Sequence, residues 1–243
     1  VVRNVVFAFV LGLGLAGAAV AQHAPGVEPA NNNVANTASL QRGAKYFVNY
    51  CLGCHSAKYV RYNRLAADLQ IPEQHLESLM FTGEQPFDTM AIAMRPDDAK
   101  RWFNVAPPDL SLIARARGTD YIYSFLRGFY AAPNRSTGVD NIVMPGTSMP
   151  HVLWQLQGVQ RAVFGPDEHG RGEVFQRFEL VRPGEISAQE FDGVVRDIVN
   201  FLDYISEPIK LERQQLGIRV IGFLLVFLLI AYMLKREIWK DVK

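Results

Sequence analysis

Cys51-Leu52-Gly53-Cys54-His55 decides how the rest of the chain reads. It has the form C-x-x-C-H, the attachment pattern of c-type haem. Two thiols with two residues between them reach the two vinyl groups of one porphyrin. The histidine that follows falls over the iron and can ligate it through an imidazole nitrogen. A C-x-x-C redox pair and a structural disulfide compete as readings of the thiols, but a redox pair does not need the histidine. A zinc site would need further cysteines or a second histidine at finger spacing. Cys51 and Cys54 are the only cysteines in 243 residues.

The residues upstream of the motif deliver it to a core. Leu40, Gly43, Ala44, Phe47, Val48 and Cys51 recur on one face of a 3.6-residue period, which predicts a helix over 39–51. Thr37 or Ser39 can cap it. Downstream, Ser187-Ala188-Gln189-Glu190 is a capping box. Phe191, Val194, Val195, Ile198, Phe201, Leu202 and Ile205 continue as one apolar stripe until Pro208, so a second strong helix spans 186–205. Two such helices can cross to close a haem pocket. The fold class expected is mainly α: a class I-like c-type cytochrome domain with one C-terminal membrane helix.

Between them the pattern is weaker. Ile71-Pro72-Glu73 starts a helical turn reaching about Phe81, and Thr82-Gly83-Glu84 breaks it. Pro96-Asp97-Asp98 opens a helix with Pro at its first position and acids in its first turn. Pro107-Pro108 fixes an extended segment, and Asp109 is placed to cap a short helix ending at Gly118. Thr119 or Asp120 opens the next, with Ile122, Phe125, Leu126 and Phe129 inward. Lys58, Arg61 and Arg64 form a basic run that reads as a solvated face or, with haem present, as partners for its propionates. Residues 131–158 are irregular and carry Met144 and Met149, each followed by Pro. A loop methionine ordinarily fills a gap, but a His-ligated haem leaves one axial position that Met can occupy. Phe175, Phe178, Leu180 and Val181 suggest short strands in a polar segment.

The two ends are the most apolar parts. Val5–Leu15 followed by Ala19-Val20-Ala21 reads as a signal peptide over 1–21, cleaved after Ala21; an N-terminal membrane anchor is the alternative. Residues 22–38, rich in Pro, Asn and Ala, read as an extended arm lying on something else. Leu216–Leu234 is long enough to cross a bilayer, since 19 residues rise roughly 28 Å. Arg219 near its start can snorkel. Lys235, Arg236, Lys240 and Lys243 follow, so the positive-inside rule leaves a cytoplasmic tail over 235–243 and puts the haem domain, 39–210, outside.

In this order the motifs resemble those of cytochrome c1, the haem subunit of quinol–cytochrome c oxidoreductase (complex III), bacterial type. The resemblance covers nearly the whole mature chain. It rests on C-x-x-C-H, Pro107-Pro108-Asp109-Leu110-Ser111 continuing to Arg115-Ala116-Arg117, Asp120-Tyr121, Met149-Pro150, and Glu207-Pro208 before one span and a basic tail. It implies one haem c bound through Cys51 and Cys54, ligated by His55 and Met149. It also places Pro107, Pro108, Arg117 and Tyr121 at the haem. The presence of two Met-Pro pairs is a departure, and Met144 stands as the alternative ligand. The implied electron donor is a Rieske iron–sulfur protein and the acceptor a soluble or membrane-attached cytochrome c. The implied setting is beside cytochrome b in a dimeric complex of the bacterial inner membrane, haem on the periplasmic side, where covalent haem is installed. The subunit would have no substrate site of its own.

The residues alone support a narrower statement: one haem, six-coordinate if Met ligates, on an exported and tethered domain. A free-standing anchored cytochrome serving a terminal oxidase and a five-coordinate haem enzyme or sensor are the other readings. A net charge of +1 gives no footprint for nucleic acid. Residues 140–207 hold 11 acidic and 5 basic side chains, net −6, which predicts a surface able to steer a basic partner.

Overall fold

The computed structural model describes residues 27–80, 82–166 and 173–241. The segment read as a signal peptide and the first residues of the arm lie outside these. Helix α1 (Thr37–Tyr50) leads into the haem motif and is followed by β1 (Ala57–Arg61), α2 (Tyr62–Asp68) and α3 (Glu73–Leu76). Next come β2 (Thr89–Met90), α4 (Pro96–Phe103), α5 (Ile113–Arg117) and α6 (Thr119–Arg127). Strands β3 (Phe129–Ala131) and β4 (Val139–Asn141) frame a turn; α7 (Trp154–Gln157) precedes β5 (Gly158–Pro166) and β6 (Glu173–Pro183). Helices α8 (Ala188–Ser206) and α9 (Lys210–Ile238) end the chain. The protein is mainly helical, and among the described residues its strands form three separate antiparallel pairs, β1 with β2, β3 with β4, and β5 with β6.

The crossing of α1 and α8 organises the core. Leu40, Ala44, Phe47 and Val48 of α1 are buried against a cluster that includes Val194, Val195, Ile198, Phe201 and Leu202 of α8. The Phe47 and Phe201 rings lie 5.3 Å apart. Each such side chain taken from water contributes about 1.5–3 kcal/mol. Gly43 makes the crossing possible: a Cβ there would stand 2.1 Å from the Asp197 carbonyl oxygen. The polar edge of the seam is equally specific. Asp197 accepts from Ser39 Oγ at 2.5 Å and from Arg42 at 2.6 and 2.9 Å, and Asn200 donates to Ser39 Oγ at 2.6 Å. The α8 capping box forms as its sequence predicts. The α1 cap is Asn36, whose side chain accepts from the Ser39 amide; Ser39 itself is drawn inward by Asp197.

The described part of the arm lies on the domain's own helices. The Glu28 amide donates to Ser124 Oγ at 2.7 Å, the Ala30 amide to Asp120 Oδ1 at 2.8 Å, and the Asn33 amide to Asn200 Oδ1 at 2.6 Å. Glu28 also pairs with Arg127 at 2.5 Å.

Several local expectations are corrected. The helix read from Ile71 to Phe81 shrinks to α3 and a 3-10 turn, Glu77–Leu79. Asp109 does not cap α5, whose N-cap, Leu112, makes no side-chain cap bond; its carboxylate is taken by the Lys58 and Ser111 amides. The strand segment is longer than Phe175–Val181 and pairs with β5, whose alternation is disguised by irregularities at Val159/Gln160 and Val163/Phe164. Arg64 pairs with Asp68, and Arg61 donates to the Phe87 carbonyl, so both have local partners. The net −6 of residues 140–207 overstates their field. Asp140, Glu179, Asp192, Asp197, Asp203 and Glu207 are each ion-paired, mostly to bases from outside that stretch. A paired charge acts at a distance as a dipole, and screening shortens its reach further.

Helix α9 is the one helix among the described residues long and apolar enough to cross a membrane, and none of it is buried. It begins at Lys210, six residues before the apolar run, so its first turns stand clear of the apolar span.

Candidate haem-binding site

The motif sits where α1 ends. The Cys51 amide makes the last bond of the helix, to the Phe47 carbonyl at 2.9 Å. The Cys54 and His55 amides then both donate to the Cys51 carbonyl, at 3.0 and 2.8 Å, gathering the two thiols and the imidazole onto one turn. Cys51 and Cys54 form no disulfide, and burial pushes the Cys51 thiol up to about 12. A neutral thiol in an apolar setting is unsuited to redox exchange, which needs the thiolate. Among the described residues no three His, Cys, Asp or Glu side chains are grouped for a metal ion, so a zinc site has no ligand set there.

The proline-rich segment is zipped onto the motif. His55 Nδ1 lies 2.8 Å from the Pro108 carbonyl oxygen. A carbonyl only accepts, so Nδ1 carries the proton and Nε2 keeps its lone pair, the tautomer a metal-ligating histidine requires. Burial holds the imidazole below its usual pKa, with the Pro108 bond and nearby Asp109 acting against that shift. Three further bonds continue the zip: Leu110 N–H to the Ser56 carbonyl at 2.7 Å, Lys58 N–H to Asp109 Oδ2 at 3.0 Å, and Tyr59 N–H to Ser111 Oγ at 3.1 Å. Pro107 and Pro108 lie in a stretch without regular secondary structure before Ser111.

An apolar wall stands partly open beside the core. Leu110, Ile113, Tyr121, Phe125, Met149 and Val152 pack on the buried cluster while remaining half-buried themselves. Tyr121 and Phe125 stack 6.2 Å apart, and the Arg117 guanidinium lies 5.6 Å from the Tyr121 ring centroid. The two methionines differ. Met149 packs on the core cluster, whereas Met144 is 46% exposed. His151 is buried and stacks on Phe129 at 5.0 Å; burial lowers its pKa to about 4, so it is neutral near pH 7. This donor set fits a c-type haem: two thiols on one turn, a pre-oriented imidazole, a thioether packed on the core and half-buried apolar side chains.

The methionine loop is held by residues that sequence reasoning missed. Asn141 and Asp140, at the end of β4, and Thr147 accept from loop amides. Asparagine and aspartate before a Pro/Gly-rich loop read only as generic turn formers.

A sequence model of the Cytochrome C1 family matches residues 31–159 and 184–242. The break between the two matched stretches falls within the β5–β6 hairpin. "Cytochrome c1" of Allochromatium vinosum is 50% identical over 218 residues, 89% of this chain and 89% of that protein. "Ammonia monooxygenase gamma subunit" of Nitrosomonas europaea is 43% identical over 209 residues, 86% and 85% of the two chains. "Cytochrome c1" of Rhodospirillum rubrum is 30% identical over 236 residues, 84% and 82%.

Proposed function

The chain belongs to the cytochrome c1 family, the haem subunits of quinol–cytochrome c oxidoreductase, and on that premise we propose the residues that serve its electron-transfer role. One haem c would be held through Cys51 and Cys54, with His55 and Met149 as the residues that ligate its iron. Bound there, the haem supplies a one-electron couple. The observation that carries this reading is the His55–Pro108 hydrogen bond, which presents Nε2 as a ligand at the end of the helix bearing both thiols. The core packing of Met149 and the exposure of Met144 support the choice between the methionines.

The chain's own residues tune the site. The Pro108 carbonyl fixes the imidazole and raises its basicity. A neutral thioether favours the reduced metal and so raises the potential. Tyr121, Phe125, Leu110 and Ile113 would offer the haem an apolar surface that keeps water away. Arg117, beside Tyr121, and Lys58, three residues past His55, are the cations that would pair with the propionates. With His55 and Met149 both ligating, the iron would have no open position for a substrate, and the subunit would pass electrons without substrate chemistry of its own.

The finer setting is part of the same proposal. A Rieske iron–sulfur protein delivers the electron, and a soluble or membrane-attached cytochrome c takes it. The domain over 39–210 faces the periplasm after cleavage behind Ala21, α9 spans the bilayer beside cytochrome b, and the complex is dimeric. Co-purification from detergent extract tests this. The chain should emerge with a cytochrome b and a Rieske protein, carrying one covalent haem lost in Cys51→Ala Cys54→Ala. A chain that purifies alone, or binds carbon monoxide in its native reduced form, would contradict it.

A further inference from the structure

The methionine loop is tied to the haem wall through one buried amide. Asn141 is 0% exposed and closes β4, where it pairs with Phe129. Its Nδ2 donates to the Phe125 carbonyl at 2.7 Å, at the end of α6. Its Oδ1 accepts from the Val143 amide at 2.9 Å and the Met144 amide at 3.3 Å. One side chain therefore grips both the helix that carries Tyr121 and Phe125 and the first residues of the loop.

The rest of the loop is built outward from that grip. Asp140 Oδ1 accepts from the Gly146 amide at 2.7 Å, and Gly146 takes φ +81°, a left-handed conformation suited to glycine. The Thr147 amide donates to the Met144 carbonyl at 3.2 Å, and Thr147 Oγ1 accepts from the Met149 amide at 3.3 Å. The path from Asn141 to Met149 is thus a chain of hydrogen bonds with no regular secondary structure. A loop of this kind relaxes when one bond is lost, because nothing periodic shares the load. A buried side chain that serves three partners is the member whose loss frees the most.

We infer that Asn141 is a positioning residue: it holds the Met149 loop against α6 and so keeps the thioether on the iron. The inference rests on Met149 as the axial ligand. Asn141→Asp is the discriminating variant. A carboxylate keeps the two acceptor bonds to the loop but cannot donate to the Phe125 carbonyl, and sets oxygen against oxygen there. Asn141→Ser, which is too short to span both sides, is the second variant. Met149→Leu tests the ligand, and Ser187→Ala, at the α8 cap where the hydroxyl bonds Glu190, controls for general destabilisation.

Each is measured in the whole detergent-extracted complex by three readouts: the sulfur-to-iron absorption band of the oxidised protein, carbon monoxide binding by the native reduced protein, and thermal unfolding by circular dichroism. Met149→Leu should lack the band. Both Asn141 variants should lose it well below their unfolding temperature and raise the carbon-monoxide-binding fraction tenfold or more, while Ser187→Ala changes only the unfolding temperature. If Met149→Leu lacks the band but both Asn141 variants match the parent, the inference on Asn141 is overturned and the ligand stands. If Met149→Leu keeps the band, the ligand reading falls and the inference with it. If neither Asn141 variant accumulates with haem while Ser187→Ala does, Asn141 serves the whole domain, and the positioning role is overturned.

Discussion

The histidine side and the methionine side of the site are built by different means. On the histidine side a helix end presents the ligand, the His55 ring and the Leu110 amide meet backbone carbonyls, and the Asp109 and Ser111 side chains add two further acceptors. On the methionine side the bonds go to side chains: Asn141, Asp140 and Thr147 hold amides across a loop. Backbone bonds survive most substitutions; side-chain bonds survive few. The ligand histidine itself is held by a backbone carbonyl, so the histidine side should tolerate more substitutions than the methionine side, which should fail locally with the domain intact.

The largest expected effect comes from the helices. Gly43→Val puts carbon where the Asp197 carbonyl stands and must push α1 off α8. Overpacking of this kind costs about 3 kcal/mol or more when backbone is the obstacle. The variant should lose thermal stability and haem incorporation together; normal haem loading would show that the crossing does not deliver the motif. Asp197→Ala comes next. It leaves the buried Ser39 hydroxyl without its acceptor and the Ser39–Asn200 pair without its anchor, at about 2 kcal/mol. The Arg42 side chain is half exposed, so water takes over much of its share. Calorimetry should show a lower melting temperature with an unchanged absorption spectrum.

How much of this was legible depends on the range of the interactions. Helices α1, α8 and α9 were readable because their signals are local: a 3.6-residue stripe, a capping box, a long apolar run. The α1 cap went to Asn36 because Ser39 met Asp197, 158 residues away. Asp109 was misread for the same reason: its partner Lys58 lies 51 residues off. The hairpin strand β5 was hidden because its irregular register breaks the alternation that marks a strand. The ligand residues were legible as a motif and a resemblance. The amide that holds the methionine loop was not, since three partners of one asparagine leave no periodic trace.

Smaller effects sharpen the contrast. Ser111→Ala removes the acceptor of the Tyr59 amide from the zip and should cost about 1 kcal/mol. His55 keeps its backbone partner, so the band should survive; its loss would show that the histidine side depends on side chains too. Ser187→Ala should cost about 0.5–1 kcal/mol by denaturant titration, with no spectral change. The Ser187 hydroxyl, then its amide, hold the Glu190 carboxyl below its usual pKa. A depressed folded pKa gives stability that is present above the ordinary glutamate value, about 4.3, and lost as pH falls through the folded one. The difference from the parent should therefore narrow in acid; a difference that widens there would reverse the assignment.

The central claim is that Met149 completes the axial pair opposite His55, and the sulfur-to-iron absorption band of the oxidised protein tests it most directly. Met149→Leu should abolish the band and lower the reduction potential by on the order of 100 mV, where about 59 mV is a tenfold change for one electron. Met144→Leu, at an exposed position, should leave both unchanged. The opposite result, with the band lost in Met144→Leu and kept in Met149→Leu, would exchange the two ligands. A band kept in both would pass the axial position to another residue, His151 first, and contradict the account.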